Sequence, residues 1–305
     1  MSRITLLFFL LLIGCDYRSK SNKIDSSMSL FETTIAEKIV YAIKEEDLKK
    51  IEEILITDTL LLSYQEPKFG RSLVHLVARE KKCKSLQKLL ELGTNSNLKD
   101  IYGETALFES IYNLNEFDSK LGDCISVLLE HDADPNTTNY DESNLNKGSI
   151  LEKGTSVLML ASSRSYEAST MLVEYGANIN YKTKTGKTAA IVSLLTKNLK
   201  VAYLLIVENK AKVTDSYNAS SILGISTISE ESKLNDLLSQ DLYPIDLLSN
   251  WIFPIGSDEH FLKMEIVKEF ENQGLEYRDR KIPERIIQQI KALYPNSWQD
   301  FLEKY

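Results

Sequence analysis

Apolar residues in this chain fall into short paired blocks that recur about every 33 residues, and each unit opens on a glycine. Gly70-Arg71-Ser72-Leu73-Val74-His75-Leu76-Val77-Ala78 opens one unit, and Gly103-Glu104-Thr105-Ala106-Leu107-Phe108 opens the next. Gly154-Thr155-Ser156-Val157-Leu158-Met159-Leu160-Ala161 and Gly186-Lys187-Thr188-Ala189-Ala190 open two more. Asn218-Ala219-Ser220-Ser221-Ile222-Leu223 reads as a degraded fifth opening. Each opening predicts the start of the first helix of its unit. The hydroxyl of Ser72, Thr105, Ser156 or Thr188 is placed to cap it.

A second helix follows in each unit, carrying an apolar pair, a turn and then Asn. The four copies are Leu89-Leu90 with Gly93 and Asn97, Leu128-Leu129 with Ala133 and Asn136, Met171-Leu172 with Gly176 and Asn180, and Leu204-Leu205 with Ala211. Upstream, Ile39, Ala42, Ile43, Leu48, Ile51 and Leu55 follow helical spacing and predict a helix pair over 31–65 that caps the array. Beyond residue 240 the repeat stops. Phe261, Met264, Val267 and Phe270 form one helical stripe, and Ile286, Ile287, Ile290 and Leu293 another, so 241–305 reads as a helical extension covering the end of the stack.

These openings and their period resemble the ankyrin repeat, whose units begin T-P-L-H-x-A. The resemblance covers roughly residues 66–225; no copy carries the Pro, and the His survives once, as His75. It implies an all-α solenoid of helix-turn-helix units with hairpin fingers, spanning 66–240, in which each unit buries its apolar face only by stacking on its neighbours. It also implies a structural role for His75, bonding locally to organise its turn. For the chain as a whole it implies protein binding through the fingers and the concave face.

The N-terminus carries a separate signal. Arg3, an apolar run from Leu6 to Ile13, and Gly14 form a secretory leader too short to span a bilayer. Leu12-Ile13-Gly14-Cys15 resembles the bacterial lipobox, which implies cleavage after residue 14 and lipidation of Cys15. Residues 15–30 then form a polar tether. The expected location is the bacterial cell envelope, with the protein held on the membrane by acyl chains and facing the periplasm. Asp16 resembles the inner-membrane retention signal of enteric bacteria.

Composition narrows the partners. The formal charge is −8. An acidic chain with no basic block argues against nucleic acid, which needs clustered Lys and Arg. Cys83 and Cys124 remain once Cys15 is assigned to lipid. Stacked helices lie about 10 Å apart, whereas a disulfide needs Cα atoms within about 7 Å. That comparison favours two buried thiols over a bridge.

Two insertions interrupt the array. One lies near 113–122, between the helices of the second unit. The larger, 137–153, replaces a finger and contains Tyr140, Asp141 and Glu142. It reads either as an enlarged recognition finger or as a tolerated surface insertion. Phe69, Tyr102 and Tyr217 precede opening positions and are placed near finger tips, where aromatic side chains are good anchors for a partner. The alternative is that they pack finger against finger. Tyr181, Lys182 and Lys184 extend the row.

The sequence offers no catalytic, cofactor-binding or metal-binding motif, and His131 and His260 each stand without a second histidine at ligand spacing. The expected function is therefore binding of another protein, as a periplasmic inhibitor or immunity protein. The alternatives are an envelope scaffold or accessory subunit, or an enzyme with its site in the C-terminal helices.

Overall fold

The structure, a computed structural model, describes residues 27–31, 34–112, 114, 120–139, 152–218, 241–277, 282 and 284–304. The leader, Cys15 and most of the tether lie outside the described residues. Those described are mostly helical, and the fold is all-α. The chain divides into two compact units, with the described residues through Asn178 in the first and those from Ile179 in the second.

The first unit contains four helix pairs: α1 (Glu37–Lys44) with α2 (Leu48–Thr57), α3 (Leu73–Arg79) with α4 (Cys83–Glu91), α5 (Ala106–Tyr112) with α6 (Lys120–Glu130), and α7 (Val157–Ser162) with α8 (Tyr166–Glu174). The helices form two rows. α3, α5 and α7 pack in sequence in one, and α2, α4, α6 and α8 in the other. Burial follows from this. Every residue of α7 is buried, as are Leu73 to Ala78 of α3, because each is enclosed by neighbours and by its own partner helix. α4 buries only Ser85, Leu86, Leu89 and Leu90, a single stripe.

The expected hydroxyl caps form at three openings: Thr105 accepts from Phe108 N–H at 3.4 Å, Ser156 from Met159 N–H at 3.2 Å, and Thr188 from Ile191 N–H at 3.3 Å. At the first opening, His75 reaches back and accepts the Ser72 N–H at Nδ1 (3.2 Å).

The Asn of each unit ties its turn to the next one. Asn97 donates to Asp132 C=O (2.7 Å) and accepts from Asp134 N–H (2.7 Å). Asn136 donates to Gly176 C=O (3.3 Å) and accepts from Asn178 N–H (2.7 Å). Within the second unit, Asn180 accepts from Lys212 N–H (2.8 Å). Backbone groups that helix ends leave unpaired are thereby satisfied by the neighbouring turn.

Cys83 and Cys124 form a disulfide, with Cα atoms 4.9 Å apart, so the expectation of two thiols is overturned. The physical reason is geometric. A spacing of about 10 Å separates helix axes, but Cα atoms lie about 2.3 Å off each axis, so facing positions approach to within bonding range.

The second unit begins with α9 (Ala189–Leu195) and α10 (Leu199–Tyr203), which runs on into a π-helical turn, Leu204–Glu208. Strand β1 (Tyr217–Asn218) pairs antiparallel with β2 (Asp241–Leu242), and α11 (Pro244–Leu248) and α12 (Asp258–Asn272) follow. α11 packs on α9 and α12 on α10, repeating the two-row arrangement. α12 also ends as the earlier second helices do. Gly274 has φ +86°, and Leu275 N–H bonds Phe270 C=O at 3.0 Å, matching Ala177 to Leu172 at 2.9 Å and Thr94 to Leu89 at 3.1 Å.

The fifth opening expected at Asn218–Leu223 lies largely outside the described residues. Asn218 lies in a strand, residues 219–223 are outside the described set, and the next described helix pair starts at Pro244. Finally, α13 (Glu284–Leu293) and α14 (Trp298–Lys304) close over Ile286, Ile290 and Phe301.

Candidate functional site

Between helix pairs the chain makes short fingers, and three of them are braced by a side chain at the base. Glu66, which is buried, accepts N–H bonds from Lys68 (2.7 Å), Phe69 (2.8 Å) and Arg71 (3.1 Å). Asp100 accepts from Tyr102 (2.9 Å) and Glu104 (3.0 Å), and Thr183 from Lys187 (3.1 Å). A carboxylate or hydroxyl folded back on successive backbone N–H groups rigidifies a turn. The sequence signal was present but not used: Asp100 and Thr183 stand three residues before an opening glycine. Glu66 stands four before, and its longer side chain spans the extra residue.

The first two fingers lean together. Ile101 N–H bonds Phe69 C=O at 2.9 Å, and the Phe69 and Tyr102 rings lie 6.3 Å apart at an interplanar angle of 30°. Lys68 Nζ lies 5.1 Å and the Arg71 guanidinium 5.4 Å from the Phe69 centroid, both within cation–π range. Phe69 and Tyr102 are half-buried, and beside them Ile101 is 56% exposed, an aliphatic side chain no sequence argument had picked out. This tip joins aromatic, aliphatic and cationic groups on a braced backbone.

Below it, Arg71 Nε stands 3.8 Å from Asp100 Oδ2. Burial pushes the Asp100 carboxyl above its ordinary range, against the backbone bonds it accepts. His75 is also buried. Its Nε2 lies 2.9 Å from Glu104 C=O, and since Nδ1 accepts, Nε2 carries the proton and the ring is neutral. Burial holds its pKa below the ordinary 6.5.

The remaining expected residues divide. In the second unit Lys182 and Lys184 are exposed, and Tyr181 is half-buried. Lys182 is ion-paired with Asp215, which also holds Lys212 at 2.9 Å. Tyr217 is a correction: the first residue of β1, it is 1% exposed and not available as a surface anchor. Its burial follows from Asn218 N–H bonding Thr185 C=O at 2.8 Å, which draws the segment against the preceding finger.

Tyr140, Asp141 and Glu142 lie outside the described residues. The base of their insert is a paired finger, with Asn139 N–H to Thr155 C=O at 3.2 Å and Thr137 C=O accepting Val157 N–H at 3.0 Å. Among the described residues, no group of three His, Cys, Asp or Glu is placed to hold a metal ion, and no helix is long and apolar enough to cross a membrane. The chain matches no protein-family model and no curated protein sequence.

Proposed function

We propose that this is a lipid-anchored, exported ankyrin-repeat protein that binds another protein through its finger tips and the face formed by its first helices. The observation that carries this reading is the Phe69–Tyr102 tip, an aromatic pair flanked by exposed Ile101 and by Lys68 on two fingers braced from within by Glu66 and Asp100. Rigid aromatic groups contribute contact area at low entropic cost, and a braced backbone reduces the ordering that binding would otherwise demand. The paired helices in two rows, the repeated fingers and the Asn-mediated links between turns support the repeat assignment.

In this reading the leader directs export, and Cys15 carries the acyl chains. Anchoring concentrates the protein where an envelope partner arrives. That suits an inhibitor or immunity protein at the periplasmic face of the membrane. The 83–124 disulfide supports an oxidising destination.

Affinity capture of the full-length protein from gently solubilised membranes tests the proposal, run beside Phe69→Ala/Tyr102→Ala. One stoichiometric partner lost in the double variant supports a binding module centred on this tip. A partner retained undiminished moves the site elsewhere, and no partner with either protein overturns the reading. Metabolic labelling with radioactive palmitate, present in the native protein and absent in Cys15→Ala, tests the anchor separately.

A further inference from the structure

In most helix pairs the second helix is positioned by a three-residue turn: 45–47, 80–82, 163–165 and 196–198. Such a turn leaves little freedom in where the next helix begins. α6 is different, because residues 113–119 separate it from α5. At its far end α6 is fixed as its neighbours are, with Ser96 Oγ donating to His131 C=O (2.9 Å) and Asn97 bonded to Asp132 and Asp134. The disulfide joins the first residue of α4 to the near half of α6.

The two cysteines are unequally accessible. Cys124 is fully buried, whereas Cys83 is partly exposed at the start of its helix. Attack by an external thiolate therefore has one approach, through Cys83 Sγ.

We propose that Cys83–Cys124 is a reversible redox latch on α6, opened and closed by dithiol–disulfide exchange at Cys83. In opening, a thiolate of an external dithiol attacks Cys83 Sγ, and the Cys124 sulfur leaves as a thiolate and takes up a proton. The second thiol of the dithiol then displaces Cys83. Two electrons pass to the bridge, and the dithiol departs as a disulfide. Closing reverses these steps with an oxidised partner of the same class. When open, α6 keeps its attachments at residues 131–134 and loses its constraint at 124, so its first turns fray while the rest of the row stays packed.

Hydrogen exchange on the full-length protein, before and after reduction by dithiothreitol, tests the latch. The expected result is exchange about tenfold faster in peptides covering 120–126, with 157–174 unchanged, the signature of local rather than global opening. Cys83→Ser/Cys124→Ser should show the fast pattern in both conditions. Should that variant not fold, reduction of the native protein still decides the question. Brief treatment with a monothiol, followed by alkylation and mass analysis, should find the mixed disulfide on Cys83. Unchanged exchange after reduction, a uniform rise in every helix, or an adduct confined to Cys124 would each overturn the proposal.

Discussion

His75 and Glu104 join two successive fingers: the imidazole Nε2 lies 2.9 Å from the Glu104 carbonyl, while Nδ1 accepts the Ser72 N–H of its own turn. The Nδ1 bond requires the neutral ring, because an imidazolium has no acceptor there, and burial holds its pKa below 6.5. The unfolded chain therefore binds a proton that the folded one refuses. This contribution to stability is complete above pH 6.5 and is lost as the pH falls below that value. Urea unfolding at pH 7.5 and pH 5 should show the loss. His75→Gln, which does not titrate, should flatten that part of the profile while being less stable than the native protein at the higher pH.

Asn97 makes one bond as donor and one as acceptor to the following turn. Asn97→Ala leaves both backbone groups without that partner and should cost about 1–3 kcal/mol, read from the unfolding midpoint. Asn97→Asp keeps the acceptor, loses the donor to Asp132 C=O and adds charge beside Asp132 and Asp134. It should not restore native stability.

Gly93 and Gly186 share a left-handed backbone, with φ +92° and +85°, but differ in surroundings. A Cβ at Gly93 meets nothing within 4 Å, whereas at Gly186 it comes 3.0 Å from Ser216 C=O and 3.2 Å from Tyr217 Cα. Gly93→Ala should cost only the backbone strain, about 1–2 kcal/mol. Gly186→Ala adds a clash with backbone and should be clearly worse in thermal unfolding.

The Tyr217 hydroxyl is buried without a hydrogen-bond partner among the described residues, and burial pushes its pKa up. Tyr217→Phe should therefore fold as stably as the native protein or more so. Tyr217→Ala removes a buried ring and should cost about 3–5 kcal/mol. Loss of partner binding in Tyr217→Phe with stability intact would contradict its assignment to the core.

Lys263 on α12 is buried and donates to Trp251 C=O at 3.0 Å, within the connection that leads from α11. Burial lowers its pKa from 10.5 to about 7. Between those values the unfolded chain binds the extra proton, so stability should rise as the pH climbs from 7 towards 10.5. Lys263→Met should lack this rise in a pH series of unfolding midpoints.

Sequence alone determined what depends on near neighbours. The first and second helices of the units, the hydroxyl caps at Thr105, Ser156 and Thr188, and the helix pair within 31–65 are local consequences of residue type and spacing, and all are present. The Asn signature was equally visible, but its role as a link between turns was not, because its partners lie 32 to 42 residues away.

Tertiary structure decided the rest, wherever distance between surfaces rather than spacing along the chain sets the outcome. The disulfide depends on which sides of α4 and α6 face each other, which a spacing of helix axes does not contain. Tyr217 is core and Ile101 surface because a backbone bond between fingers turns one residue in and leaves the other out. The helix pair 244–272 stacks on 189–208 without the glycine-led opening that marks the earlier units. Packing against a neighbour selects for shape and burial, and many different sequences satisfy both.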